Sequence, residues 1–67
     1  MELRYLEIFV KVVEKKSFSL AAEDLSLTQP TISIHIKSLE QELGVKLLDR
    51  LGRSVVPTRA GELLFGY

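Results

Sequence analysis

Hydrophobic positions recur along this chain with a helical period as far as Gly44 and then change character. From residue 3 to residue 16, Leu3, Leu6, Phe9, Val10 and Val13 form one stripe of an amphipathic helix. Glu7 and Lys11 form an i,i+4 pair on its opposite side, and Lys15-Lys16-Ser17 ends it without a glycine. A second helix is expected from Leu20 to Leu25 with Ser19 as N-cap, and the small pair Ala21-Ala22 lets another helix approach closely. Ser26-Leu27-Thr28 connects it to a third helix, Gln29 to Leu43. Thr28 caps that helix, Pro30 fits only its first turn, and Gly44 stops it. Ile32, Ile36, Leu39 and Leu43 make its buried stripe. At ~100° per residue, Ile34 falls on the opposite, outward arc with Pro30, Ser33 and Lys37.

Beyond Gly44 two short apolar runs, Val45 to Leu48 and Ser54 to Val56, flank Asp49-Arg50-Leu51-Gly52-Arg53. Glycine between β-compatible runs predicts a small hairpin carrying basic residues. Thr58 then caps a further helix beginning at Arg59-Ala60-Gly61-Glu62. The fold class is therefore mainly α: a winged helix-turn-helix with a three-helix core, a small β-hairpin wing and the start of a linker helix. Residues 1–57 form the domain and residues 58–67 begin the linker or dimerisation helix. The reading helix spans 29–43 and the wing 47–56.

Composition narrows the chemistry. With 67 residues the chain is at most one domain, and the absence of cysteine removes disulfides, thiolate metal sites and thiol nucleophiles. No apolar run approaches membrane-spanning length, so a cytoplasmic protein without membrane contact is expected. Nine basic residues balance nine acidic ones, which by itself argues against a nucleic-acid partner. The distribution argues the other way. From Leu25 to Leu39 the only charge is Lys37, and from Val45 to Thr58 the local balance is +2. The acids gather at Glu2, Glu7, Glu14, Glu23, Asp24, Glu40 and Glu42.

The second helix of a helix-turn-helix places its N-terminal residues on base edges in the major groove, so its outward arc should be polar and free of carboxylates. Thr28, Gln29, Pro30, Thr31, Ser33, Ile34, His35 and Lys37 are accordingly the expected DNA-facing set, with Arg50 and Arg53 of the wing on phosphates. Gln29 can pair bidentately with adenine, although a capping role competes. Ile34 has three readings: contact with a thymine methyl, a stray exposed apolar residue, or part of a protein interface. The first is favoured. His35 has no second histidine or cysteine with which to build a metal site, so a groove-facing donor is the better reading. Glu40 is read as a surface partner of Arg50 or Lys37. Ala60-Gly61 permits close helix packing. No nucleophile–base pair, metal cluster or phosphate loop supports an enzyme. The rival reading is a winged-helix protein-interaction module that touches no nucleic acid, and salt titration separates the two.

The run FVKVVEKKSFSLAAEDLSLTQPTISIHIKSLEQELGVKLLDRLGRSVVPTRAG also resembles the N-terminal DNA-binding domain of LysR-type bacterial transcriptional regulators. The residues that carry the resemblance are Ser17-Phe18, Ala21-Ala22, Leu25, Thr28-Gln29-Pro30, Ser33, Ile36, Leu39-Glu40, Leu43-Gly44, Leu47, Arg50, Arg53, Thr58 and Ala60-Gly61. The resemblance implies sequence-specific binding of double-stranded promoter DNA through Gln29, Pro30, Ser33 and His35, with the wing arginines on phosphate. It further implies a homodimer or tetramer formed through a long linker helix. A small-molecule effector domain would lie, like that helix, beyond Tyr67, and no cofactor is expected within these residues. Ile34 stands where the family commonly has arginine, and Leu48 where it commonly has phenylalanine. Without a full dimerisation helix, weak binding as a monomer is expected.

Overall fold

A computed structural model describes residues 2–52 and 54–66. It orders them as α1 (Leu3–Lys15), α2 (Phe18–Leu25), α3 (Gln29–Leu43), β1 (Leu48–Leu51), β2 (Ser54–Pro57) and α4 (Arg59–Phe65). The boundaries of α3 follow from local chemistry. Thr28 accepts the N–H of Thr31, Pro30 occupies the first turn, and Gly44 closes the helix at φ 71°, where a side chain would be strained.

The core face of α1 is Ile8, Phe9 and Val12, all fully buried, with Tyr5, Leu6, Val10 and Val13 packed at its margins. The expected stripe is thus rotated by about one position, and Leu3, with no layer beneath the first turn, is 72% exposed. Helix α2 begins two residues earlier than expected. Ser17, not Ser19, is its cap, and its Oγ accepts from Leu20 N at 3.1 Å. Ser26 ends α2 in the left-handed region, and Leu27 N–H reaches back to the Ala22 carbonyl at 2.8 Å. Ala21 and Ala22 are buried, and their small side chains allow α1 and α3 to close around α2. From α3, Ile32, Ile36 and Leu39 enter the core. Leu43, one turn further, lies past the edge of the other layer and is exposed.

Lys11 does not pair with Glu7. Its Nζ lies 2.8 Å from Asp24 of α2 and 3.7 Å from Glu14. The Lys11 hydrogen bond and charge, helped by Lys15, hold the Asp24 carboxyl below its ordinary range, and Asp24 raises Lys11 in turn. The pair therefore stabilises the fold fully above the ordinary carboxylate pKa, and that contribution disappears as pH falls through the lowered native value. At the alkaline end it is lost as pH rises through the raised lysine value. Asp24→Asn should flatten the acid limb of the stability curve below about pH 4, as read by urea midpoints across that range. An unchanged limb would show that the pair contributes nothing to the link between α1 and α2.

The wing pairs β1 with β2 antiparallel, Leu48 opposite Pro57, Asp49 opposite Val56, Arg50 opposite Val55 and Leu51 opposite Ser54. The first strand starts at Leu48 rather than Val45 because the amides of Leu47 and Leu48 are taken by a side chain. They donate to Oε2 of Glu40 at 2.8 and 3.4 Å. Glu40 is thus a capping acceptor for the wing's root, and not the surface ion-pair partner expected. Val55 N–H donates to the Lys16 carbonyl at 3.3 Å, which ties β2 to the end of α1. Leu47, Leu48 and Val55 fill the core from this side. Thr58 caps α4 through Gly61 N–H and donates its hydroxyl to the Lys46 carbonyl at 2.6 Å. Gly61 is buried, while Leu63 and Phe65 of α4 are exposed. Among the described residues, no helix is long and apolar enough to cross a membrane.

Candidate nucleic-acid interface

The turn Ser26-Leu27-Thr28 sets α3 across α2 with its N-terminus at the surface. No acid lies in its first turn, so the positive end of the helix is unopposed there. Gln29, Pro30, Ile34 and Lys37 are exposed on this helix, and Ile34 retains 62% of its surface. The outward angle expected for Ile34 is therefore present. Thr28 and Thr31 are partly committed to each other, their hydroxyls 2.8 Å apart. Gln29 is not a cap, since Thr28 fills that position; its Oε1 instead accepts from Ser19 at 3.0 Å.

Ser33 is half-buried and faces a cleft between α3 and the wing, where Lys37, Lys46 and Arg50 line the walls together with Phe18 and the carboxylates of Glu40 and Asp49. Arg50 stands over the Phe18 ring, its guanidinium carbon 4.8 Å from the centroid, so an aromatic face steadies the wing's cation. Lys37 and Arg50 make no ion pair among the described residues, whereas Lys46 lies 3.8 Å from Asp49. Lys46 was not among the expected contacts. Its place in the cleft depends on the path of the chain after Gly44, which no spacing encodes. Arg53 lies outside the described residues.

His35 is turned toward α1. Its ring is half-buried, 4.9 Å from that of Tyr5 and tilted by 37°, and Nδ1 is buried without a partner among the described residues. It sits on the flank of the reading face, with part of the ring given over to helix packing. Among the described residues no three His, Cys, Asp or Glu side chains gather where they could hold a metal ion.

Two helices joined by a short turn, the second presenting an acid-free face beside a two-stranded wing with basic residues, define a winged helix-turn-helix. The sequence profile of the bacterial regulatory helix-turn-helix proteins of the lysR family matches residues 3–62, and the chain belongs to that family. It is 51% identical over 65 residues to the HTH-type transcriptional regulator BudR of Raoultella terrigena, covering 97% of this chain and 22% of that protein. It is 48% identical over 67 residues to BenM of Acinetobacter baylyi, covering 100% of this chain and 22% of that regulator. The chain thus spans about a fifth of the length of these relatives. Among solved structures, the BenM DNA-binding domain in complex with catB site 1 DNA superposes with a TM-score of 0.96 at 48% identity, covering 100% of this chain and 74% of that one. The CbnR DNA-binding domain in complex with DNA gives 0.94 at 38% identity, over 98% of this chain and 76% of that one.

Proposed function

We propose that this chain is a sequence-specific reader of double-stranded DNA, the DNA-binding head of a LysR-type transcriptional regulator. The observation that carries the reading is the exposed, acid-free face of α3 from Gln29 to Lys37, continued across one cleft by Arg50 of the wing. The N-terminal half of α3 enters the major groove, and the wing follows the adjacent backbone and fixes register. Similarity to the BenM and CbnR domains described in complexes with DNA supports this placement. Net charge of zero does not oppose it, because the arc of α3 from Gln29 to Lys37 carries no acid; Glu40 and Asp49 lie beyond that arc, in the lining of the cleft.

The chain acts by binding and not by catalysis, as the names of its relatives, transcriptional regulators, suggest. In the full regulator, which works in the cytoplasm, a homodimer formed through the linker helix places two heads on one operator. A small-molecule effector then switches transcription. A single head binds weakly because it lacks the effective concentration of a linked pair.

Affinity for duplex DNA should fall steeply and log-linearly with salt, and Arg50→Ala should reduce the slope by about one. Binding without salt dependence, or no duplex binding at all, would favour a protein-interaction module instead. Within the same experiment, Ile34→Ala should weaken preference for sequences with thymine at one position by about 1 kcal/mol, the scale of one buried methyl contact. Unchanged affinity and sequence preference would rule out a thymine-methyl contact.

A further inference from the structure

Ser19 is the second residue of α2 and Gln29 the first residue of α3, and one hydrogen bond joins them. The Ser19 hydroxyl donates to Gln29 Oε1 at 3.0 Å. Spacing alone makes Ser19 the natural N-cap of α2, but Ser17 holds that position through its bond from Leu20 N–H. The Ser19 hydroxyl is thereby released from its own helix and reaches the neighbouring one. Both residues are exposed, so the bond contributes little to holding the fold together. Its effect falls on the orientation of the glutamine.

An exposed glutamine amide rotates broadly about its last torsion, and either its oxygen or its nitrogen can point outward. Here the oxygen is anchored by one of its two lone pairs. The second lone pair and both Nε2 hydrogens remain available. An acceptor beside a donor in one plane matches the N6/N7 edge of adenine in the major groove. A side chain ordered before binding loses less conformational freedom on forming that contact.

We infer that Ser19 is a positioning residue for base reading: its hydroxyl orients the Gln29 amide toward the adenine edge of an A·T pair without touching the base itself. The inference rests on the proposal that α3 reads DNA.

The chain and its variants are tested by selection from a pool of duplexes of randomised sequence, followed by affinity measurements on the selected duplex and its single-base-pair variants. Gln29→Ala identifies the base pair that Gln29 selects, as the position where preference vanishes. Ser19→Ala should lower the preference for A·T at that base pair about three- to tenfold, with thermal midpoint and salt slope unchanged. Ser19→Thr, which keeps the hydroxyl, should retain the preference, and Ser19→Ala should add nothing in the Gln29→Ala background. Full preference in Ser19→Ala would overturn the inference. So would an equal loss on all sequences with a shallower salt slope, which would make Ser19 itself a phosphate contact. Steep salt-dependent binding by the wild-type chain, with no preference that Gln29→Ala removes, overturns the positioning role and leaves DNA binding standing. No duplex binding at all overturns the DNA reading, and the inference with it.

Discussion

Ile34→Glu should cripple duplex binding while leaving the fold intact. Ile34 is 62% exposed, so its replacement removes almost nothing from the core, and glutamate is the better helix former. The carboxylate then stands on the acid-free arc, in the exposed row of Pro30 and Lys37 that is proposed to meet the duplex. Like charges brought together at an interface cost several kcal/mol, so affinity should drop at least about 100-fold. Ile34→Arg should move the other way, raising affinity and steepening the salt slope by about one. Thermal midpoints of the two variants serve as the control, and both should stay near the wild-type value. A glutamate variant that binds as tightly as the wild type would remove α3 from the interface.

Gly61→Ala has the largest effect expected on stability. Alanine is favoured over glycine within a helix by ~1 kcal/mol, and that gain is outweighed. A methyl at this position overlaps the Leu47 carbonyl oxygen and stands 3.2 Å from Pro57 Cβ. The obstacle is backbone, and the same Leu47 carbonyl accepts from Thr58 N–H at 2.9 Å. Making room therefore moves α4 off the wing and strains its cap. Overpacking of this kind costs about 3 kcal/mol, leaving a net loss of about 2 kcal/mol and a melting temperature lower by roughly 10 °C. A melting temperature equal to or above that of the wild type would show that α4 docks loosely enough to absorb the methyl.

Where a boundary is written in local chemistry, the sequence states it. Thr28, Pro30 and Gly44 each act within one turn of themselves, so both ends of α3 were readable to the residue. Thr58 announces α4 in the same way. The start of α2 is not legible in the sequence because two serines compete for one cap, and the spacing of Ser17 and Ser19 does not say which hydroxyl is nearer an amide. Leu3 and Leu43 continue their apolar stripes beyond the layers they would pack against, and periodicity carries no record of where a neighbouring helix stops. The site divides similarly. The exposed arc of α3 follows from helical geometry, but the contacts that shape it are long-range. Glu40 to Leu47, Phe18 to Arg50, Ser19 to Gln29 and Tyr5 to His35 each join separate elements, so nothing local marks them.

The Glu40 carboxylate belongs to the reading helix, yet it holds the two amides from which the wing departs. With Leu47 and Leu48 buried beside it, helix and wing are set like the jaws of a caliper at one gap. A rigid gap measures. A duplex whose groove and flanking backbone do not match it must bend or change groove width to fit, at a cost fixed by its own stiffness. Operators should then be ranked partly by how readily they deform.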